Sequence, residues 1–228
     1  AEIGLEGVLQ RGQKPRWGVD ISSGLGPIPI DVYGELAMRS PKGDQYWHLK
    51  GDKVDPALGV GNFELLTRDS TVAPQATVGA SYSTSFGDNN SLTVGGEYFY
   101  NSLGYDNAVL YPWLILKNAY QPFYVGQHYA GAYVLLLVPT ANQFASNSFV
   151  LSTIGNISDK SMVARLNYSI TLLTHLTLES YVAGHFGTEG GEFRFGFDST
   201  KLPLPPGTPT FVSPTPVFDV GVALRVRI

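Results

Sequence analysis

Hydrophobic and polar residues alternate along most of this chain, most strictly over its last thirteen residues, Pro216 to Ile228. Phe218, Val220, Val222, Leu224, Val226 and Ile228 share one parity, while Asp219, Gly221, Ala223, Arg225 and Arg227 share the other. A period of two predicts a β-strand with one apolar and one polar face. The same pattern predicts strands near Glu2–Gln10, Arg16–Ser23, Ile30–Arg39, Gln75–Phe86, Ser91–Asn101, Phe123–Val138, Ser148–Gly155, Ser161–Leu172 and Leu176–Gly187, with a weaker one near Val60–Arg68. Over Ile30–Arg39, Ile30, Val32, Gly34, Leu36 and Met38 oppose Asp31, Tyr33, Glu35, Ala37 and Arg39. The face is ambiguous in Phe123–Val138, where Tyr129, Gly131, Tyr133, Leu135 and Leu137 are read as apolar-side and His128, Ala130 and Ala132 as polar-side.

The connections are of two kinds. Gly87–Asn90 (GDNN) is a tight-turn signal between the two clearest strands, Asn156–Lys160 (NISDK) is similarly short, and Leu173–His175 reads as a turn. Ser40–Leu58 reads as a polar, irregular loop. Ser102–Pro122 is long and unusually apolar, and Pro112 there permits one or two helical turns. Thr188–Thr215 is a Gly- and Pro-rich excursion, with a small hairpin expected near Glu192–Phe197. Gly95–Gly96 and Gly190–Gly191 read as strand bends or hairpin turns, since no helix pattern follows either pair.

Composition decides which way the faces point. Burying the charged parity of these strands in a dry core would be costly, whereas a membrane-spanning barrel turns its apolar parity to lipid and its polar parity to a wet interior. The 228 residues hold 26 Gly, 13 Tyr, 12 Phe and 3 Trp, no Cys, and only 15% charged residues. That mixture suits membrane barrels, with small residues at bends and aromatics at the interfaces. The longest apolar run, Tyr129 to Pro139, has about ten residues, well short of the roughly 20 of a spanning helix. No signal peptide is seen. A net charge of -4 with no concentrated basic patch argues against nucleic acid as a partner.

Asp219, Gly221, Leu224 and Val226 fit a polar–x–Gly–x–x–hydrophobic–x–hydrophobic pattern. It resembles the C-terminal signal by which outer-membrane β-barrel proteins are recognised by their insertion machinery, although bacterial members usually end in an aromatic and this chain ends in Ile228. The expectation is therefore an all-β fold, a single antiparallel transmembrane β-barrel domain over residues 1–228, in the bacterial outer membrane. Eleven spanning strands are counted, where bacterial barrels use even numbers. A strand hidden within Ser40–Leu58 or near Glu192–Phe197 makes about 12 strands; otherwise strands precede Ala1, and the chain is the C-terminal part of a larger barrel.

Similarity to porin-like proteins implies passive passage of small hydrophilic solutes or ions, with the lipid bilayer and the insertion machinery as partners, no chemical step and no cofactor. Asp31, Glu35, Arg39, Glu97, Arg165, Glu179, His185, Asp219, Arg225 and Arg227 are the expected pore-lining residues, joined by Asp20. Cross-strand ion pairs filling a plugged lumen would use the same residues. That alternative is a closed structural or adhesive barrel working through Ser102–Pro122 and Thr188–Thr215. A barrel hydrolase would use His128 or His185, both assigned to the inner face, but no nucleophile elbow accompanies them. His48 and His175 read as loop and turn residues, and Asp106, Asp159 and Asp198 show no calcium-loop spacing. The segment Tyr111–Tyr120 either folds inward as a constriction or lies at the bilayer edge, with Trp113 and Leu114 as packing anchors.

Overall fold

The computed structural model describes residues 1–54, 61–139, 145–172, 175–198, 200, 210 and 212–226. The expected lumen residue Arg227, the terminal Ile228 and two residues of the expected turn at 173–175 lie outside this set. The fold is all-β and antiparallel. Its main element is one ten-stranded sheet that runs as a meander. The strands, in sheet order, are β1 (Glu2–Val8), β2 (Arg16–Gly24), β3 (Ile30–Arg39), β6 (Ala73–Phe86), β7 (Asn90–Asn101), β8 (His128–Pro139), β9 (Ala145–Asn156), β10 (Ser161–Leu172), β11 (Leu176–Gly187) and β14 (Phe218–Val226). The edges are β1 and β14, and no pairing joins them among the described residues.

The strands outside this sheet correct the expected count of about 12. The segment read as the loop Ser40–Leu58 contains β4 (Gln45–Val54), and the weak strand near Val60–Arg68 is β5 (Gly61–Thr67). They pair only with each other, as a hairpin inserted between β3 and β6. His48 thus sits in a strand opposite Glu64 rather than in a loop. Removing the weak strand from the eleven leaves an even ten. The hairpin expected near Glu192–Phe197 is instead a 3-10 turn, Glu192–Arg194, after which β12 (Phe197–Asp198) pairs with β13 (Val212–Ser213).

The connections β2–β3, β6–β7, β8–β9 and β10–β11 are all short and lie at one end of the sheet. One is Gly87–Asn89, where Gly87 (φ 55°) and Asn89 (φ 72°) take left-handed conformations that reverse the chain between Phe86 and its partner Asn90. The long insertions gather at the other end: the β4–β5 hairpin, residues 102–127, and the segment after β11. There Pro112 starts the short helix α1 (Tyr111–Leu116), as its fixed φ favours.

Register assigns the two faces without a slip, because every pairing in the main sheet is continuous. Every Asp, Glu and Arg of the ten strands falls on one face, from Glu2 and Glu6 on β1 to Asp219 and Arg225 on β14. The other face carries none. It is exposed: Leu5 is 83% accessible, Val222 76% and Leu166 43%. One expectation is overturned. Tyr129, Gly131 and Tyr133 pair with Phe99, Glu97 and Gly95 on the polar face, so His128, Ala130 and Ala132 belong to the apolar one. Leu135 and Leu137 follow Tyr133 onto the charged side, which is why the parity of β8 is ambiguous in the sequence.

The buried apolar cluster lies in the insertions, not under the sheet. Leu110, Tyr111, Leu114 and Val125 form it, with Trp47 and Phe63 of the hairpin, Tyr105, Tyr120 and Phe195 packed around them. Trp113 meets Trp47 edge-on at 5.3 Å and stacks on Phe63 at 5.2 Å. The chain exposes 14828 Å², against about 10,000 Å² for an ordinary folded chain of this mass. A one-layer wall with an uncovered apolar face accounts for an excess of that kind.

Candidate functional site

The polar face is the surface on which the expected lumen residues meet. Asp31, Glu35 and Arg39 lie along β3, Glu97 on β7, Arg165 on β10, Glu179 and His185 on β11, and Asp219 and Arg225 on β14, all on this side. Asp20 lies opposite Glu35. Glu6, Asp20, Asp31, Glu35 and Glu97 lie on β1, β2, β3 and β7, whereas on β10, β11 and β14 Arg165 and Arg225 are matched by Glu179 and Asp219. Arg225 pairs with Glu179 at 3.3 Å. Arg165 covers the Tyr181 ring at 3.8 Å and donates to Asn167 Oδ1 at 2.7 Å.

Glycines on this face make room for tyrosine rings. Tyr33, Tyr133 and Tyr181 lie directly across from Gly79, Gly95 and Gly221. A Cβ at those glycines would come within 2.4, 2.5 and 2.2 Å of the ring atoms, so only glycine lets the rings lie along the wall. Tyr33 also donates to Glu97 at 2.7 Å. Gly95 is therefore a seat for Tyr133, not the strand bend expected from Gly95–Gly96.

A buried polar network ties the insertions to the wall. Asp159 Oδ1 accepts from the backbone N–H of Ser161 at 2.8 Å and its hydroxyl at 2.6 Å. Its Oδ2 accepts from the Tyr111 hydroxyl at 3.0 Å and the Glu192 N–H at 2.7 Å. Glu192 accepts from the Phe123 N–H, from the Tyr129 hydroxyl at 2.7 Å and from Asn156 at 3.0 Å. Tyr111 and Asn156 are fully buried. Tyr111–Tyr120 therefore packs over the polar face, with Leu114 buried as a packing anchor. Burial, then the adjacent Asp159 charge and hydrogen bond, pushes the Tyr111 hydroxyl far above its ordinary pKa. Burial also raises the Tyr120 hydroxyl and the Glu192 carboxyl; for Glu192 the three donors oppose the rise without cancelling it.

Beside this cap, between β2, β3, β6 and the β4–β5 hairpin, lies a cavity of about 630 Å³ lined by Arg16, Arg39, Asp44, Tyr46, Arg68, Gln75 and Asn101 among others. Asp44 takes an ion pair from Lys14 at 2.6 Å and one from Arg39 at 2.5 Å. Burial works against its charge, but these two cations outweigh burial and hold its carboxyl below the usual range.

His185 and His128, the two histidines expected on the inner face, both have hydrogen-bond partners. His185 uses both ring nitrogens, Nδ1 on the Phe193 carbonyl at 2.6 Å and Nε2 on Asp219 at 3.0 Å, so neither faces a hydroxyl nucleophile. His128 contacts the Tyr98 hydroxyl at 2.6 Å on the apolar face, not the inner one expected. No group of three or more metal-ligating side chains occurs among the described residues. Sequence reasoning missed Arg16 and Arg68, and it placed Asp159 correctly in a turn but missed its burial and its four hydrogen bonds. Parity alone puts Arg16 on the polar face, and register sets it opposite Arg39; Arg68 ends the expected weak strand, but β4, which pairs with that strand, lies in a segment that reads as loop. Scanned against protein-family models, curated proteins and solved structures, the chain matches none.

Proposed function

We propose that the ten-stranded sheet is the wall of a bacterial outer-membrane β-barrel, closed by pairing of β1 with β14, whose polar face lines a porin-like channel for passive diffusion of small hydrophilic solutes or ions. One observation carries this reading: across all ten strands, every charged side chain lies on one face and none on the other. A water-soluble sheet would cover so large an apolar face with a second layer. Lipid covers it in a barrel.

Three further features support the reading. Apart from the seven-residue β1, the wall strands have nine to fourteen residues, against the roughly nine to eleven a spanning strand needs. Aromatic residues on the apolar face form two bands: Trp17, Tyr98, Tyr100, Phe186 and Phe218 toward the insertions, and Tyr82, Phe86, Phe149 and Tyr168 toward the short turns. Such bands suit the two membrane interfaces. With ten antiparallel strands, β1 and β14 run in opposite directions, so they can pair antiparallel; Glu2 and Glu6 then share a face with Arg225 at the seam.

A second reading, a closed structural or adhesive barrel acting through its external loops, is favoured by the buried cap over the polar face. Planar-bilayer recording of the detergent-purified protein separates the two. Stepwise, ohmic openings whose ion selectivity shifts in Arg165→Glu and Arg225→Glu are expected of the channel. A folded, inserted protein that stays silent transfers the function to the loops, and failure to insert rejects the membrane wall.

A further inference from the structure

We infer that the cavity beside the cap is a binding site for a small multivalent oxyanion, the phosphate or paired carboxylates of a solute arriving along the polar face. The inference rests on the channel reading for the solute's route, but the site itself is defined by the charges around it. Arg16 and Arg39 are direct cross-strand partners on the same face, and like charges so placed repel. Asp44 is the one acidic side chain lining the cavity among the described residues, and Lys14 and Arg39 already engage its two oxygens. Arg16 and Arg68 have no acidic partner among the described residues.

Arg68 and Lys14 are held in place rather than merely close. Arg68 donates to the Leu103 carbonyl at 3.0 Å and its guanidinium lies 4.4 Å from the centre of the Tyr46 ring, while Lys14 also donates to the Lys42 carbonyl at 2.5 Å. Arg16 reaches only Gln13, at 3.4 Å, which leaves most of its donors free. In the cavity lining, Arg16, Arg39 and Arg68 face the single carboxylate of Asp44, an excess of two positive charges. A dianion supplies the missing charge, and guanidinium forks match the oxygen geometry of phosphate and carboxylate. At about 630 Å³, the volume is that of a small-ligand pocket, not of a macromolecular interface.

The test is isothermal titration of the detergent-folded protein with inorganic phosphate at fixed ionic strength, chloride being the balancing anion, and a parallel arm with succinate. Saturable phosphate binding is expected, weakened about tenfold by Arg16→Gln and by Arg68→Gln, the scale of one charged hydrogen bond. Arg16→Lys, which keeps the charge but not the fork, should lose less affinity than Arg16→Gln, which separates lost charge from lost fold, and Asp44→Asn should tighten binding. Saturation by phosphate alone identifies a phosphoryl site, and saturation by succinate as well a general dianion site. No saturable binding of either, affinity unmoved by both glutamine variants, or weakening by Asp44→Asn overturns the site. Titration needs no conductance, so phosphate binding by a protein silent in bilayers keeps this inference and rejects the channel.

Discussion

The wall and the cap of this protein treat their apolar residues in opposite ways. In the cap, Leu114 is fully buried among Trp47, Phe63 and Val125, and the polar groups beneath it are hydrogen-bonded. In the wall, Val220, Val222 and Leu224 are 65 to 76% accessible, and the charged residues stand on the other side. A dry core and an uncovered apolar face in one chain imply two different surroundings. The cap is built for water outside it, and on the reading proposed here the wall is built for lipid.

Leu114→Ala should have the largest effect. It leaves a cavity in a fully buried position, which costs about 2–5 kcal/mol. Hydrogen exchange should show residues 102–127 losing protection while β9 and β10 keep theirs. If the wall strands lose protection in step, wall and cap are one cooperative unit and the contrast is only geometric.

Leu166→Arg attacks the other side. Leu166 lies mid-strand on the apolar face of β10 and is 43% accessible. In a bilayer the charge should cost about 2–4 kcal/mol by urea titration in lipid vesicles. At an ordinary water-facing site the same change costs within about 0.5 kcal/mol, and that result would remove lipid from the explanation. Ser169→Arg, on the polar face of the same strand and opposite Glu179, is the control and should be tolerated.

The wall was legible in the sequence because its information is local. A period of two gives each strand its faces, and nine of the ten expected lumen residues share the polar side, the tenth being Arg227. It failed at β8, where both parities are apolar toward the short-turn end: Leu135 and Leu137 on one, Val134 and Leu136 on the other. The cap was not legible. Its hydrogen bonds join Tyr111 to Asp159 and Phe123 to Glu192, residues 48 and 69 apart, and no periodicity reports contacts that distant. β4 was hidden for a different reason. Lys50, Gly51 and Asp52 interrupt its alternation, where the register shifts between Leu49 and Val54.

The smallest expected effect separates two carboxylates within the capped end. Glu192 is raised by burial, against the opposing effect of three hydrogen-bond donors. The folded cap therefore binds its proton more tightly than the unfolded chain does. That contribution is complete below the ordinary carboxyl pKa and fades as pH rises through the higher folded value. Asp44, at the root of the hairpin, has the opposite sign. Burial works against its charge, but Lys14 and Arg39 hold it low, so its contribution is present above the ordinary pKa and is lost as pH falls through the folded one. In the native protein the two slopes oppose each other. Glu192→Gln removes only the first, so its cap should become more stable as pH rises through the acidic range, reported by fluorescence of Trp47 and Trp113 in urea. Asp44→Asn should give the reverse slope. If both variants keep the native pH profile, neither carboxylate changes its proton affinity on folding, and the cap's polar network is then as solvated as the wall's charged face.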